Sequence, residues 1–312
     1  MNVHLELPRA RLLDACALTV GTFDGVHRGH QLLVQSVHES AAEQRMASVV
    51  VTFQEMPFCY FQPDRCPKLL TLPHEKIEAF RATGVDHLFI VPFDRALAEQ
   101  SAQEFVVETL QAHLGLRMLR CGPDFALGRG RGGTVEALRE LGRAHDFVVQ
   151  PLEAKLLEAD APISSTRVRE AVETGEVALA ARLLGRPYAL EGTVATGRQL
   201  GRTIGFPTLN LETHPRKALP ARGVYAAWAS LDGGEPLPTA LNIGVRPTVS
   251  GEGQTTEAHI IEAHLAETPR QVRLEFVTRL RDEQRFAGLD ALKAQLARDI
   301  AAAKRQLKPG AS

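Results

Sequence analysis

Ten consecutive residues, Gly21-Thr22-Phe23-Asp24-Gly25-Val26-His27-Arg28-Gly29-His30, hold the densest set of groups able to do chemistry. They follow an apolar run and precede an amphipathic one, which predicts a strand-to-helix turn. A helix start offers unpaired N–H groups and a partial positive charge, a ready site for phosphate. Gly29 would let the backbone approach such a ligand closely. His27 and His30 could donate to a phosphate whose charge grows during transfer. A plain turn with two surface histidines would give the same local pattern, and its position after the first strand favours chemistry. Ile163-Ser164-Ser165-Thr166-Arg167-Val168-Arg169 begins another helix, and by itself it is an ordinary serine or threonine cap. Gly122-Pro123-Asp124-Phe125-Ala126-Leu127-Gly128 follows a later strand as a turn.

A second stretch, Gly197-Arg198-Gln199-Leu200-Gly201-Arg202-Thr203-Ile204-Gly205-Phe206-Pro207-Thr208-Leu209-Asn210, spaces its glycines so that backbone N–H groups can wrap phosphates. Thr208 and Asn210 offer neutral oxygens to a magnesium ion that ATP also holds. The stretch is neither a P-loop nor a dinucleotide fingerprint, because no Gly-Lys-Ser/Thr occurs at the required spacing. Glu257 lies in Thr256-Glu257-Ala258-His259. A glutamate on a strand is usually a solvated face residue, as Glu262, Glu267 and Glu275 would be.

The elements that must position these groups fall into two rhythms. Up to about Gly185, apolar runs at Ala17–Gly21, Ser48–Phe53, His87–Phe93, Met118–Cys121 and Phe147–Leu152 alternate with helical patterns. Helices are predicted at Gln31–Arg45, from Pro73, from a Ser101/Glu104 capping box, and at Val135–Ala144. Such alternation means a parallel sheet with crossover helices, a doubly wound α/β domain over residues 1–185. After Arg186-Pro187, short strands at Gly192–Thr196, Gly223–Leu231, Thr239–Ile243, Thr256–His264 and Gln271–Leu280 predict a small antiparallel barrel or sandwich over 186–312. A terminal helix presents Leu289, Leu292, Leu296, Ile300 and Ala303 on one face.

Composition narrows the function. In 312 residues, 36 Lys+Arg face 37 Asp+Glu, so no global field gathers nucleic acid or anionic lipid. No run approaches the ~20 apolar residues that span a bilayer, and Met1 to Leu13 does not read as a secretory signal. The four cysteines, Cys16, Cys59, Cys66 and Cys121, form no C-x-x-C pair and read as reduced, structural thiols of a cytoplasmic protein. Small molecules are the expected partners, with no nucleic acid and no membrane. No feature specifies an oligomer.

The motifs together resemble the prokaryotic bifunctional riboflavin kinase/FAD synthetase family. Its pattern G-x-F-D-G-V-H-x-G-H, then G-x-[DN]-F-x-F-G, then I-S-S-T-x-x-R is matched in order, with Leu127 in place of the second Phe. Gly-Arg-x-x-Gly-Phe-Pro-Thr-x-Asn matches with Leu209 in place of Ala. Gly223-Val224-Tyr225, Asn242 to Thr248, Thr256 to His259, and Leu280-Arg281 with Phe286 complete the series. The resemblance implies phosphorylation of riboflavin to FMN with ATP and Mg2+, then adenylation of FMN to FAD. By carry-over, Gly21, Phe23, Gly29, His27, His30, Asp124, Ser165, Thr166 and Arg169 would hold ATP for adenylation, with Asp24 and Asp124 on the flavin side. Gly197, Gly201, Arg202, Gly205, Thr208 and Asn210 would hold ATP for the kinase, with Thr208 and Asn210 on the metal. Arg281 and Phe286 would meet riboflavin, Glu257 would be the base, and His259 would be structural. Family members commonly have T-F-E-P-H-P after the second strand, where this chain has Thr52-Phe53-Gln54-Glu55-Met56-Pro57. That departure defines an alternative, a kinase with a decayed adenylyltransferase module. A nucleic-acid binder and a flavin-binding module without turnover are the alternatives of other classes.

Overall fold

A computed structural model describes residues 1–153, 155–195, 205–248, 251–263, 265 and 267–308. The chain forms two compact units, Met1–Ser165 and Thr166–Ser312.

In the first unit, β1 (Asn2–His4), β2 (Cys16–Val20), β3 (Ala47–Phe53), β4 (His87–Val91), β5 (Leu116–Cys121) and β6 (Val148–Pro151) form one parallel sheet in the order β1-β4-β3-β2-β5-β6. Strand periodicity sends alternate residues to opposite faces. Leu18, Val20, Val49, Val51 and Phe89 pack with Phe105, Leu110, Leu114 and Leu138. Val50, Leu88 and Ile90 pack instead with Val34 and Phe80. Both faces are therefore covered by helices, which is why the strands read as continuous apolar runs. Each such side chain contributes roughly 1.5–3 kcal/mol by leaving water.

The expected strands and helices of this unit are present with ends shifted by at most three residues; the first helix runs Arg28–Gln44 and the third from Pro73 to Arg81. The Ser101/Glu104 capping box forms, with Ser101 N–H donating to Glu104 Oε2 at 2.7 Å and Glu104 N–H donating to Ser101 Oγ at 3.2 Å. It opens a π-helical stretch, Glu104–Gln111.

The cysteine expectation needs correction. Cys16 and Cys121 are free and buried, with thiols pushed up to about 12 and about 11 by desolvation. Cys59 and Cys66, however, form a disulfide. Two short helical turns, Pro57–Phe61 and Pro63–Arg65, fold the chain back between them and bring the Cα atoms to 4.7 Å. Such a reversal leaves no mark in a C-x6-C spacing.

In the second unit, β7 (Ala189–Ala195), β8 (Leu209–Thr213), β9 (Gly223–Leu231), β10 (Leu237–Thr248), β11 (Gly251–Ile260) and β12 (Gln271–Arg281) close an antiparallel barrel in the order β7-β8-β11-β10-β9-β12. Closure selects the barrel over the sandwich and removes exposed edges. Strand β8 was not anticipated, because its five residues sit at the end of the glycine-rich stretch. Helices Ser165–Glu173 and Val177–Leu184 precede the barrel, and Ala221 N–H donates to the Val172 carbonyl at 3.3 Å. The closing helix is Leu289–Gln306. Its apolar stripe is interrupted: Leu289 is exposed and Asp299 is buried. Arg281 explains the buried carboxylate, donating from Nε and Nη2 to its two oxygens at 2.9 and 2.7 Å.

Candidate functional site

Chain order in the first sheet reverses at β2. The chain steps outward through β3 and β4, then returns to the other side of β2 with β5. Ligands of open α/β sheets bind at such switch points, outside the carboxyl ends of the strands. Gly21 and Gly122 leave β2 and β5 there. A cleft of about 410 Å3 opens between them, lined by Gly21, Phe23, His27, Gly29, His30, Asp124 and Ser165 among others. The cleft thus gathers seven of the residues singled out in the first half of the sequence.

Its floor is held under strain. Phe23 and Val26 have φ of 48° and 42°, left-handed values unusual for bulky residues, and both are buried. Such conformations cost roughly 1–3 kcal/mol each and persist where the surroundings over-determine them. His27 caps the helix, its Nδ1 accepting from His30 N–H at 3.3 Å, so its proton sits on Nε2. The two imidazoles stack with centroids 3.5 Å apart. A Cβ on Gly29 would lie 3.3 Å from the His27 ring, which explains that glycine. His30 Nδ1 is buried without a hydrogen-bond partner. Burial first, then the nearby His27 and Lys76, holds the His30 imidazole well below its ordinary value. His30 is therefore neutral at pH 7 and offers a hydrogen bond without a charge.

Other partners close the cleft. Ser165 Oγ donates to the Asp24 carbonyl at 2.8 Å, joining the serine loop to the motif. Arg28 Nη1 meets Glu158 Oε2 at 2.8 Å, tying the helix start to the hairpin Leu157–Pro162. Lys155 also lines the cleft and pairs with Asp124. Sequence reasoning missed Lys155, which no motif includes, and Lys76. The Lys76 ammonium is buried beneath the motif and donates to the carbonyls of Thr22 and Phe53 at 3.0 and 2.9 Å. Burial lowers its pKa to about 8, against the opposing pull of Asp24.

Asp24, expected on the flavin side, is 2% exposed and does not line the cleft. Its carboxylate accepts from the Leu70 and Thr71 N–H groups at 3.0 and 3.1 Å, so it fastens a neighbouring loop. Met56 is equally turned inward, packed with Cys59, Leu69 and Leu72. Beyond β3 and β4 an aromatic group gathers that periodicity could not reveal. Tyr60 and Phe61 are exposed, and both rings contact Phe93, at 5.7 and 5.9 Å.

Thr166 and Arg169 belong to the second unit, in the first two turns of Ser165–Glu173. Gly197, Gly201 and Arg202 lie outside the described residues. Within the barrel, Glu257 of β11 stands opposite Asn210 of β8 on one side and Asn242 of β10 on the other. Directly opposed residues share a face, with Cβ atoms about 4.5–5.5 Å apart. A carboxylate therefore sits in a row between two amides. His259, two residues along on the same face, donates from Nδ1 to the Pro207 carbonyl at 2.8 Å and lies edge-on to Phe206. That bond pins Phe206-Pro207 and so fixes where Thr208 enters β8. Gly205 has φ of 87°, a turn that only glycine takes without cost. Arg281 is committed to Asp299, and its guanidinium lies 5.8 Å from the Phe286 ring.

Comparison with known proteins matches both halves. The FAD synthetase family pattern covers residues 10–167, and the riboflavin kinase pattern covers 184–307. A curated protein of Escherichia coli K12, a bifunctional riboflavin kinase/FMN adenylyltransferase, is 41% identical over 92% of this chain and 91% of its own. Proteins of the same name from Haemophilus influenzae and Pseudomonas fluorescens are 38% and 39% identical, over 94% and 95% of this chain and 95% and 94% of theirs. A crystal structure described as a macrolide-efflux protein from Streptococcus pneumoniae superposes with a TM-score of 0.88 at 28% identity, covering 97% of this chain and 99% of the other. Among the described residues of this chain, no helix is long and apolar enough to cross a membrane. With both halves matched in order and relatives this similar along more than nine-tenths of their lengths, the chain belongs to the bifunctional riboflavin kinase/FMN adenylyltransferase family.

Proposed function

We propose that this chain phosphorylates riboflavin to FMN with ATP and then transfers AMP from a second ATP to FMN, giving FAD and pyrophosphate. The observation that carries the reading is the presence of both family halves, each with its motif residues grouped: the switch-point cleft in one, the Asn210–Glu257–Asn242 row in the other.

In the cleft, the helix start and the His27 and His30 N–H groups face the phosphates of ATP, with Ser165 beside them. The FMN phosphate oxygen is anionic near pH 7 and attacks the α-phosphate unaided. The site works by positioning and by donors aimed at developing charge. Neutral His30 suits this role, because its hydrogen bond strengthens as charge grows and no ground-state ion pair must break. Tyr60, Phe61 and Phe93, packed edge to face, offer an apolar patch to the isoalloxazine ring. The inward packing of Met56 supports an intact adenylyltransferase, since the residue that departs from the family pattern fills a small core.

In the barrel, Glu257 takes the proton from the ribityl 5'-hydroxyl as that oxygen attacks the γ-phosphate. Thr208 and Asn210 would hold Mg2+, their neutral oxygens suiting a hard cation shared with ATP. Bound there, Mg2+ would neutralise charge on the phosphates. His259 holds this segment in place. Asp24 and Arg281 support their sites from behind. ATP as a substrate of both steps supports a cytoplasmic location. The test is incubation of purified protein with riboflavin, ATP and magnesium, with flavins separated by chromatography. FMN followed by FAD is expected; FMN that accumulates without FAD under excess ATP would leave only the kinase.

A further inference from the structure

The segment from Met56 to Leu72 carries exposed aromatic residues near its start and is fastened to the histidine motif at its end. Its two helical turns are too short to persist alone, since isolated helices below about 12 residues are marginal in water. Tertiary ties hold it instead. Cys59 is bonded to Cys66, and the bridge packs against Met56, Leu69 and Leu72. On one side the turn carries Phe58, Tyr60 and Phe61, exposed by 44%, 44% and 62%. On the other, Leu70 and Thr71 are bonded to Asp24, and Thr71 Oγ1 accepts from Gly25 N–H at 3.1 Å.

We propose that Cys59–Cys66 is a redox-active site, reduced by dithiols, whose oxidised form holds the aromatic turn in place for FMN. The proposal rests on the reading that the first unit adenylates FMN. Cys59 is 6% exposed, whereas Cys66 is half-buried, so an entering thiolate reaches the Cys66 sulfur. The S–S bond breaks, and Cys59 leaves as a thiolate and takes a proton. The second thiol of the reductant then attacks the mixed disulfide and releases Cys66. The protein gains two electrons and two protons, and the reductant becomes a cyclic disulfide. Cys16 and Cys121 take no part, because both are buried and free. After reduction the turn keeps its apolar contacts and local backbone hydrogen bonds but loses its covalent tie, and FMN must order Tyr60 and Phe61 as it binds.

The test uses the full chain equilibrated with oxidised or reduced dithiothreitol. Thiol titration after denaturation should find two thiols in the oxidised protein and four in the reduced. Reduction should raise the KM for FMN in adenylation about threefold to tenfold, the penalty for ordering one or two side chains on binding. Riboflavin phosphorylation should not change. The double variant Cys59→Ser, Cys66→Ser should stay at the reduced value and ignore dithiothreitol. Four thiols before any reductant, or the same KM in both states of the parent protein, would overturn the proposal. Adenylation absent in both states while the kinase runs would overturn the underlying reading and the proposal with it.

Discussion

Glu257→Gln should separate the two activities. Glutamine keeps the length of glutamate and one acceptor oxygen, so the row Asn210–Glu257–Asn242 can be kept in register between β8, β11 and β10. What it loses is the capacity to take a proton. Glu257 is half-buried, on the face of its strand opposite to that of buried Thr256 and Ala258. A positioned base contributes roughly 100- to 10,000-fold to rate. That factor corresponds to about 3–5 kcal/mol of transition-state stabilisation. The loss should fall on kcat for riboflavin phosphorylation with KM nearly unchanged, because the interaction belongs to the transition state. The assay is steady-state FMN formation, paired with FAD formation from supplied FMN, which should proceed at the parent rate. Glu262→Gln is the control: Glu262 is exposed and pairs with Lys304 on the surface, so both activities should persist. Kinase turnover within threefold of the parent in Glu257→Gln would refute the assignment of the base, and equal loss of both activities would indicate damage to the fold.

Three further outcomes follow from the same geometry. His30→Ala should slow adenylation by about 100- to 1,000-fold, as loss of one transition-state donor does, and spare phosphorylation; coupled assays of both steps decide it. His30 is also depressed in the folded state, so below its unfolded value near 6.5 the unfolded chain binds the extra proton and stability falls as pH falls. Urea midpoints between pH 7 and 5 should therefore decline less steeply in His30→Phe than in the parent, and parallel declines would contradict the burial argument. For the modular boundary, a fragment from Thr166 should fold more stably than one from Arg186, by at least about 2 kcal/mol, because helices Ser165–Glu173 and Val177–Leu184 carry buried Val168, Val172, Leu183 and Leu184. Equal thermal midpoints would return the boundary to Arg186.

Period and order made much of the fold legible. Apolar runs alternating with 3.6-residue patterns dictate a parallel sheet covered on both faces, and Gly223–Leu231 was readable to the residue because a glycine and an acidic turn bracket it. The site was legible where a motif is contiguous: Gly21 to His30 lies in one turn, and the structure adds only its strain and the neutrality of His30. Side-chain direction was not legible. Asp24 sits inside that motif yet points away from the cleft, toward backbone groups 46 residues on. Arg281 is likewise drawn to Asp299, a carboxylate on the inner face of a helix whose pattern looked wholly apolar. Lys76, Lys155 and the Cys59–Cys66 bridge depend on how separate segments fold back on one another, which spacing along the chain does not encode.

The central claim is that one chain carries out two chemically different transfers from ATP, and the fate of labelled phosphate tests it most directly. With riboflavin as the only flavin supplied, label in the γ-phosphate of ATP should appear first in FMN and then in the FMN half of FAD. Among the flavins, label in the α-phosphate should appear only in the adenylate half of FAD, with unlabelled pyrophosphate released in equal amount to FAD. Label from the γ position in FMN with none from the α position in any flavin would contradict the account.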